Sequence, residues 1–180
     1  SAFTIDFLLG LDWSPGSEVF GILPTLIGTI FVVGGAVVIA MLIGIPTAIY
    51  LSEYSAFWVR NIVKSSVEVI TGIPSVVVGF FGLMIIVPLI RNHIGGQGES
   101  ILAGVIVLAM MILPNLITLT EDSLRAVPRS YREASLALGA TNWQTVTKVV
   151  LPAASSGIRA ALILGVGRAI GETMAVLMVV

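Results

Sequence analysis

From Phe20 to Leu51 the chain runs FGILPTLIGTIFVVGGAVVIAMLIGIPTAIYL without a single charged side chain. A run of that kind exceeds the roughly 20 apolar residues that a helix needs to cross about 30 Å of hydrocarbon. Lipid offers no partner to a bare backbone N–H or C=O, so the stretch must cross as helix. Val67 to Ile90 and Ile101 to Thr120 are further apolar runs, and a fourth follows Leu151. With 57% hydrophobic and 11% charged residues and a mean hydropathy of +1.07, an ordinary soluble domain is excluded. The expected fold is all-α, a polytopic transmembrane helical bundle forming one domain over 1–180. Its layout is an outer loop at 1–19, spans at 20–51, 67–90, 101–120 and 151–180, and a cytoplasmic loop at 121–150.

The connections refine this layout. Residues 1–18 carry Asp6, Asp12 and Glu18 but no Lys or Arg, with Phe3, Phe7, Leu8, Leu9 and Trp13 as interfacial anchors. Pro46, deep in the first run, predicts a kink. In the second run Glu68 is expected to reach the interface, while Gly72 and Pro74 either break the helix to line a cavity or only kink it. Asn115, beside Pro114 in the third, is expected to hydrogen-bond another helix. Lys and Arg number two in 52–64 and four in 121–148, against none in 1–18 and one in 91–100. The first two connections therefore face the cytoplasm and residue 1 lies outside.

Two regions bear chemistry. In the fourth run Arg168 stands nine residues after Arg159, about 13 Å further along a helix, with Glu172 four residues on. Charges inside a membrane cost about 3 kcal/mol on insertion scales and therefore face a bundle interior or a cavity. Gly165, Arg168, Glu172 and Ala175 would share one helix face. The pair serves either as a salt bridge joining helices or as a substrate contact, Arg168 offering its planar fork of donors to an oxyanion and Glu172 holding it in place. Ser75 and Thr173 are candidates for the same pathway. The other region is the polar island EDSLRAVPRSYREASLALGATNWQTVTKVVLP, Glu121 to Pro152. Pro128 can start a short helix and Gly139 can end it, with a second short helix after Thr141 or Asn142. Arg129, Arg132 and Glu133 would form a charged rim and Ala134, Ala137 and Leu138 an apolar stripe, the shape of a helix that docks into a partner's groove.

Glu133, Ala134 and Ser135, then Gly139, then Val149, Leu151 and Pro152 resemble the EAA loop of bacterial ABC-importer permeases: EAA, three residues, Gly, nine residues, Ile, any residue, Leu-Pro. Ser135 replaces the second Ala and Val149 the Ile. The resemblance implies that Arg132, Glu133, Ala134, Ser135, Gly139, Leu151 and Pro152 belong to a coupling element seated in an ATPase subunit. GRAIGETMAV at Gly167 to Val176, GIPSVVVGFFGL at Gly72 to Leu83, EDSLRAVP at Glu121 to Pro128, and the WSP, FG, LP and GT pieces between Trp13 and Thr29 are similar to the C-type permease subunits of phosphate-specific ABC importers. That family typically has six spans, so this sequence is expected to be a fragment, with one span before Ser1 and one after Val180.

The resemblance implies a type I importer fold in a bacterial or archaeal cytoplasmic (inner) membrane. Its partners would be ATPase subunits, a homologous second permease subunit and a periplasmic or lipid-anchored phosphate-binding protein, with lipid around the bundle and no nucleic acid. ATP and Mg would be bound by the ATPase, so no cofactor is expected here. Neither Lys64 nor Lys148 follows a glycine-rich phosphate-cradling loop. Cysteine is absent, His93 is the sole histidine and all three Asp lie outside the runs, which leaves no nucleophile–base pair or Asp dyad for an intramembrane enzyme. A sulfate or molybdate permease and a stand-alone secondary transporter are the alternatives.

Overall fold

The computed structural model describes Gly10, the backbone of Trp13–Ser14 and Val19–Phe20, and residues 21–180. The interfacial anchors read in 1–18, and Asp6, Asp12 and Glu18, lie outside what is described. Trp13–Ser14 and Val19–Phe20 pair as a two-residue antiparallel hairpin, β1 and β2. Among the described residues, everything else of regular form is helix.

Helix α1 is Leu23–Tyr54, α3 is Ser75–His93 and α4 is Ile101–Arg125, each long and apolar enough to cross a membrane. A fourth candidate is the pair α6, Asn142–Ala153, and α7, Ser155–Gly171, bent by 66° at their junction. Between them lie α2, Phe57–Thr71, and α5, Arg129–Ala137, and the chain closes on a short α8, Met174–Leu177.

Helix α4 is the hub, packed against α1 above all and also against α7, α2 and α8. Its contact with α1 follows from spacing. Val32, Ala36, Ala40, Gly44 and Ala48 recur every four residues and form the buried face of α1, a row of small side chains that lets the large Leu108, Ile112 and Leu116 of α4 fill the space between axes. Ala161, Gly165 and Ala169 present a similar row on α7, with Ile112 of α4 against Gly165. Many large side chains, Ile30, Phe31, Leu42, Ile163 and Leu164 among them, point away from the protein, which suits helices solvated by lipid or neighbouring helices.

A close backbone approach joins α3 to α8. A Cβ added at Gly79 would sit 2.7 Å from the Cα of Ala175 and 3.1 Å from its carbonyl oxygen. Those are backbone atoms, so Gly79→Ala is expected to push α8 off α3 at a cost of about 1–3 kcal/mol. A lowered thermal unfolding midpoint of the purified protein checks this, with Gly28→Ala, where nothing lies within 4 Å, as the silent control.

Several boundaries differ from those read in the sequence. The second run is not one span: the helix stops at Thr71, the chain turns through Gly72, Ile73 and Pro74, and a new helix starts at Ser75. Pro74 cannot donate and constrains the residue before it, and Gly72 ends α2. The third helix, by contrast, runs unbroken through Pro114 to Arg125, so Glu121 and Asp122 belong to it and not to a loop. Pro46 likewise sits inside a continuous helix, which widens into a π turn at Tyr50–Tyr54. The fourth run is divided, with a bend at Ala154 and a second break at Glu172–Thr173.

Candidate coupling surface and intramembrane cavity

At the end of the bundle that gathers most of the cations, α5 is stopped by local geometry. Gly139 adopts φ +83, which L side chains disfavour, and its N–H and that of Ala140 bond the carbonyls of Leu136 and Ser135 at 2.9 and 3.2 Å, a complete Schellman closure. Two residues on, Thr141 and Gln144 form a reciprocal capping box. Pro128 flanks α5 as its N-cap and does not enter its first turn. The two faces of α5 differ. Glu133, Ala134, Ala137 and Leu138 are exposed, Leu138 to 90%. Arg132 and Ser135 turn inward: Ser135 Oγ lies 2.9 Å from Thr145 Oγ1 on α6, so serine in place of the motif's alanine makes a tie. Arg132 therefore does not belong to the exposed rim. Its Nη2 and Nε donate to Glu53 at 2.7 and 3.2 Å, and Nη1 and Nη2 donate to the carbonyls of Val127 and Leu124 at 2.7 and 2.9 Å. Leu151 is half-buried against the cluster of Ala48, Leu124 and Val150, and Pro152 is exposed just before the bend.

Beside this lies a buried charge that sequence reading missed. Glu121 is 1% exposed, and its carboxylate meets Lys64 Nζ at 2.9 Å, Arg60 Nε at 3.6 Å and Arg125 Nε at 3.7 Å. Lys64 also bonds Asp122 Oδ1 at 2.6 Å. That bond, reinforced by Glu121 and opposed by burial, holds the Lys64 ammonium above the usual lysine range. A raised lysine pKa stabilises the fold fully below the ordinary value and is lost only as pH climbs through the raised one, so this tie is intact at neutral pH. The available signal was spacing: Arg60 and Lys64 are i, i+4 on one helix, as are Glu121 and Arg125 on the other.

On the flank of the bundle, an open cavity of about 270 Å³ lies where three helix irregularities meet, with Ile70, Val77 and Phe81 of its lining about half exposed. Ile73 comes from the break before α3, Pro114 and Met110 from α4, Val77 and Phe81 from α3, and Arg168 from the last turn of α7. Pro114 has no N–H for the Met110 carbonyl, and a cation in the last turn suits the negative end of α7. Except for Arg168 and Thr71, the lining is apolar.

The shared face expected for Arg168 and Glu172 is not formed. Helix α7 ends at Gly171, Glu172 is extended (φ −84, ψ 111), and its carboxylate accepts the N–H of Ala175 at 3.3 Å, capping α8. No Arg168–Glu172 ion pair occurs among the described residues. Ser75, Glu172 and Thr173 are not in the cavity lining; Ser75 is half-buried and Thr173 exposed. The Asn115 side chain makes no hydrogen bond among the described residues, so the interhelical bond expected of it is absent there.

A family model described as binding-protein-dependent transport system inner membrane component matches residues 40–180. Similar proteins include a probable ABC transporter permease protein, YqgH, of Bacillus subtilis, 42% identical over 98% of this chain and 58% of its own length. The phosphate transport system permease protein PstC of Pasteurella multocida is 34% identical over 100% of this chain and 62% of its own. PstC 1 of Mycobacterium tuberculosis is 35% identical over 97% and 62%. The chain thus spans less than two thirds of the length of these curated relatives.

Proposed function

The chain belongs to the family of binding-protein-dependent transport system inner membrane components, and from that premise we propose that it forms part of the permease of an ATP-driven importer of inorganic phosphate. The multi-pass bundle sits in the inner membrane, with residue 1 on the outer side and α5 in the cytoplasm. Its partners are ATPase subunits, a second homologous permease and a phosphate-binding protein outside. ATP and Mg stay with the ATPase.

What carries the reading is the outward face of α5: Glu133, Ala134 and Leu138 stand free on a short helix closed at Gly139. A stand-alone transporter has no use for such a knob, whereas a helix entering a groove on an ATPase needs an apolar stripe with a charged rim. Glu133, Ala134 and Leu138 dock, Ser135 and Gly139 fix the helix that presents them, and Leu151 and Pro152 join the knob to α7. Movement of the ATPase then reaches the cavity at Arg168, where the guanidinium offers several donors to a phosphate-like oxyanion. Substrates named for relatives 34% and 35% identical favour phosphate over sulfate or molybdate.

Co-purification tests the reading. ATPase subunits expressed together with the full-length protein are expected to remain bound to the parent and to be lost with Glu133→Ala combined with Gly139→Pro. Recovery of no ATPase with the parent would leave a stand-alone transporter as the better account.

A further inference from the structure

The two faces of α5 assign its residues two different tasks, and the inner face shows where motion of the knob goes. All four hydrogen bonds of Arg132 leave its own helix. Glu53 belongs to the π turn that ends α1, Leu124 to the last turn of α4, and Val127 to the link between α4 and α5. The partners Glu53 and Arg132 are 79 residues apart in sequence. A second bond, from Ser52 Oγ at 2.9 Å, orients the Glu53 carboxylate. Neither side chain of the pair is free to wander: Arg132 is 20% and Glu53 11% exposed. The guanidinium also covers the Leu124 carbonyl in the last turn of α4, at the negative pole of that helix, and the Val127 carbonyl just beyond it.

We propose that Arg132 is the positioning residue through which displacement of α5 is passed directly to the ends of α1 and α4. The inference rests on the importer reading. Without this tie, the contacts that remain between α5 and the rest of the protein are chiefly with α6, the Ser135–Thr145 contact among them, and its movement would be delivered chiefly along α6 to α7. With it, α5, α1 and α4 move as one body, and α1 and α4 form the most extensive helix contact among the described residues. Arginine is required for its shape. A lysine at 132 keeps the charge but is a point donor that cannot serve a carboxylate and two carbonyls in one plane.

The test uses the full-length permease co-expressed with its ATPase and partner permease, reconstituted in vesicles with the phosphate-binding protein, and inorganic phosphate as probe. Arg132→Lys and Glu53→Gln are expected to leave the amount of co-purified ATPase within about twofold of the parent. Phosphate uptake should fall about tenfold or more, the size expected for loss of a charge-assisted hydrogen bond, while ATP hydrolysed per phosphate moved rises. The double variant should be no worse than the poorer single, because both changes cut one connection. Loss of ATPase binding with Arg132→Lys would overturn the proposal by making Arg132 part of the docking surface or of α5 folding. Uptake and ATP stoichiometry equal to the parent would overturn it too. If the parent itself retains no ATPase, the importer reading fails and this inference falls with it.

Discussion

Glu121→Gln is expected to lower the thermal unfolding midpoint of the purified protein by an amount corresponding to about 3 kcal/mol. The carboxylate is almost fully buried between α2 and α4, and removing one member of a buried ion cluster leaves the opposite charges without compensation. The lower end of the usual range applies because the cations are partly solvated. Lys64 is 30% exposed and keeps Asp122, and Arg125 is 44% exposed, so screening discounts its contact. Arg60, at 18% with its Nε buried and unbonded, suffers most. Lys64→Met alone should cost less, and the double variant less than the sum of the two, since the pair is in contact. An unchanged midpoint for Glu121→Gln would mean that the cluster contributes nothing to holding α2 against α4.

The legible part of the fold was whatever a local rule decides. An uncharged run has to be helix in lipid, Gly139 closes the helix that begins beside Pro128, and a second short helix opens after Thr141. The Thr141–Gln144 capping box that opens it goes beyond that reading, and the first helix begins at Leu23 where the expected span began at Phe20. Breaks were harder to read because proline is ambiguous. Pro74, after Gly72, ends one helix and begins another, whereas Pro46 and Pro114 are absorbed in long helices packed on neighbours. Charge pairing was least legible. Arg168 and Glu172 at i, i+4 pointed to a pair, but the chain leaves the helix at Glu172 and the carboxylate caps Ala175 instead. Glu121, by contrast, stands in the sequence as one residue of a polar island, because its partners Arg60 and Lys64 lie on a helix distant in sequence. Partners that only tertiary packing brings together leave no local mark.

Arg168→Gln is expected to reduce phosphate uptake by the full-length importer by about 30-fold or more while the ATPase remains bound. Loss of one member of a desolvated charge pair costs about 2–5 kcal/mol; under the proposed function the member lost is Arg168 and the one left unpaired is the anion in transit. The structure divides this prediction from the one for Glu172. Arg168 forms no ion pair with Glu172 among the described residues, and it lines the cavity whereas Glu172 does not. Glutamine at 172 keeps an oxygen to accept the Ala175 N–H, so Glu172→Gln should transport within a few-fold of the parent. Glu172→Ala removes the cap and should cost about 1 kcal/mol of stability. Arg168→Lys separates charge from shape: a guanidinium that grips an oxyanion through paired donors predicts partial activity for lysine, between glutamine and arginine. Radiolabelled phosphate uptake by vesicles containing equal amounts of each complex reads the two Arg168 variants and Glu172→Gln, and the thermal unfolding midpoint reads Glu172→Ala. Equal and complete loss for Arg168→Gln and Glu172→Gln would restore the salt bridge that the helix break denies.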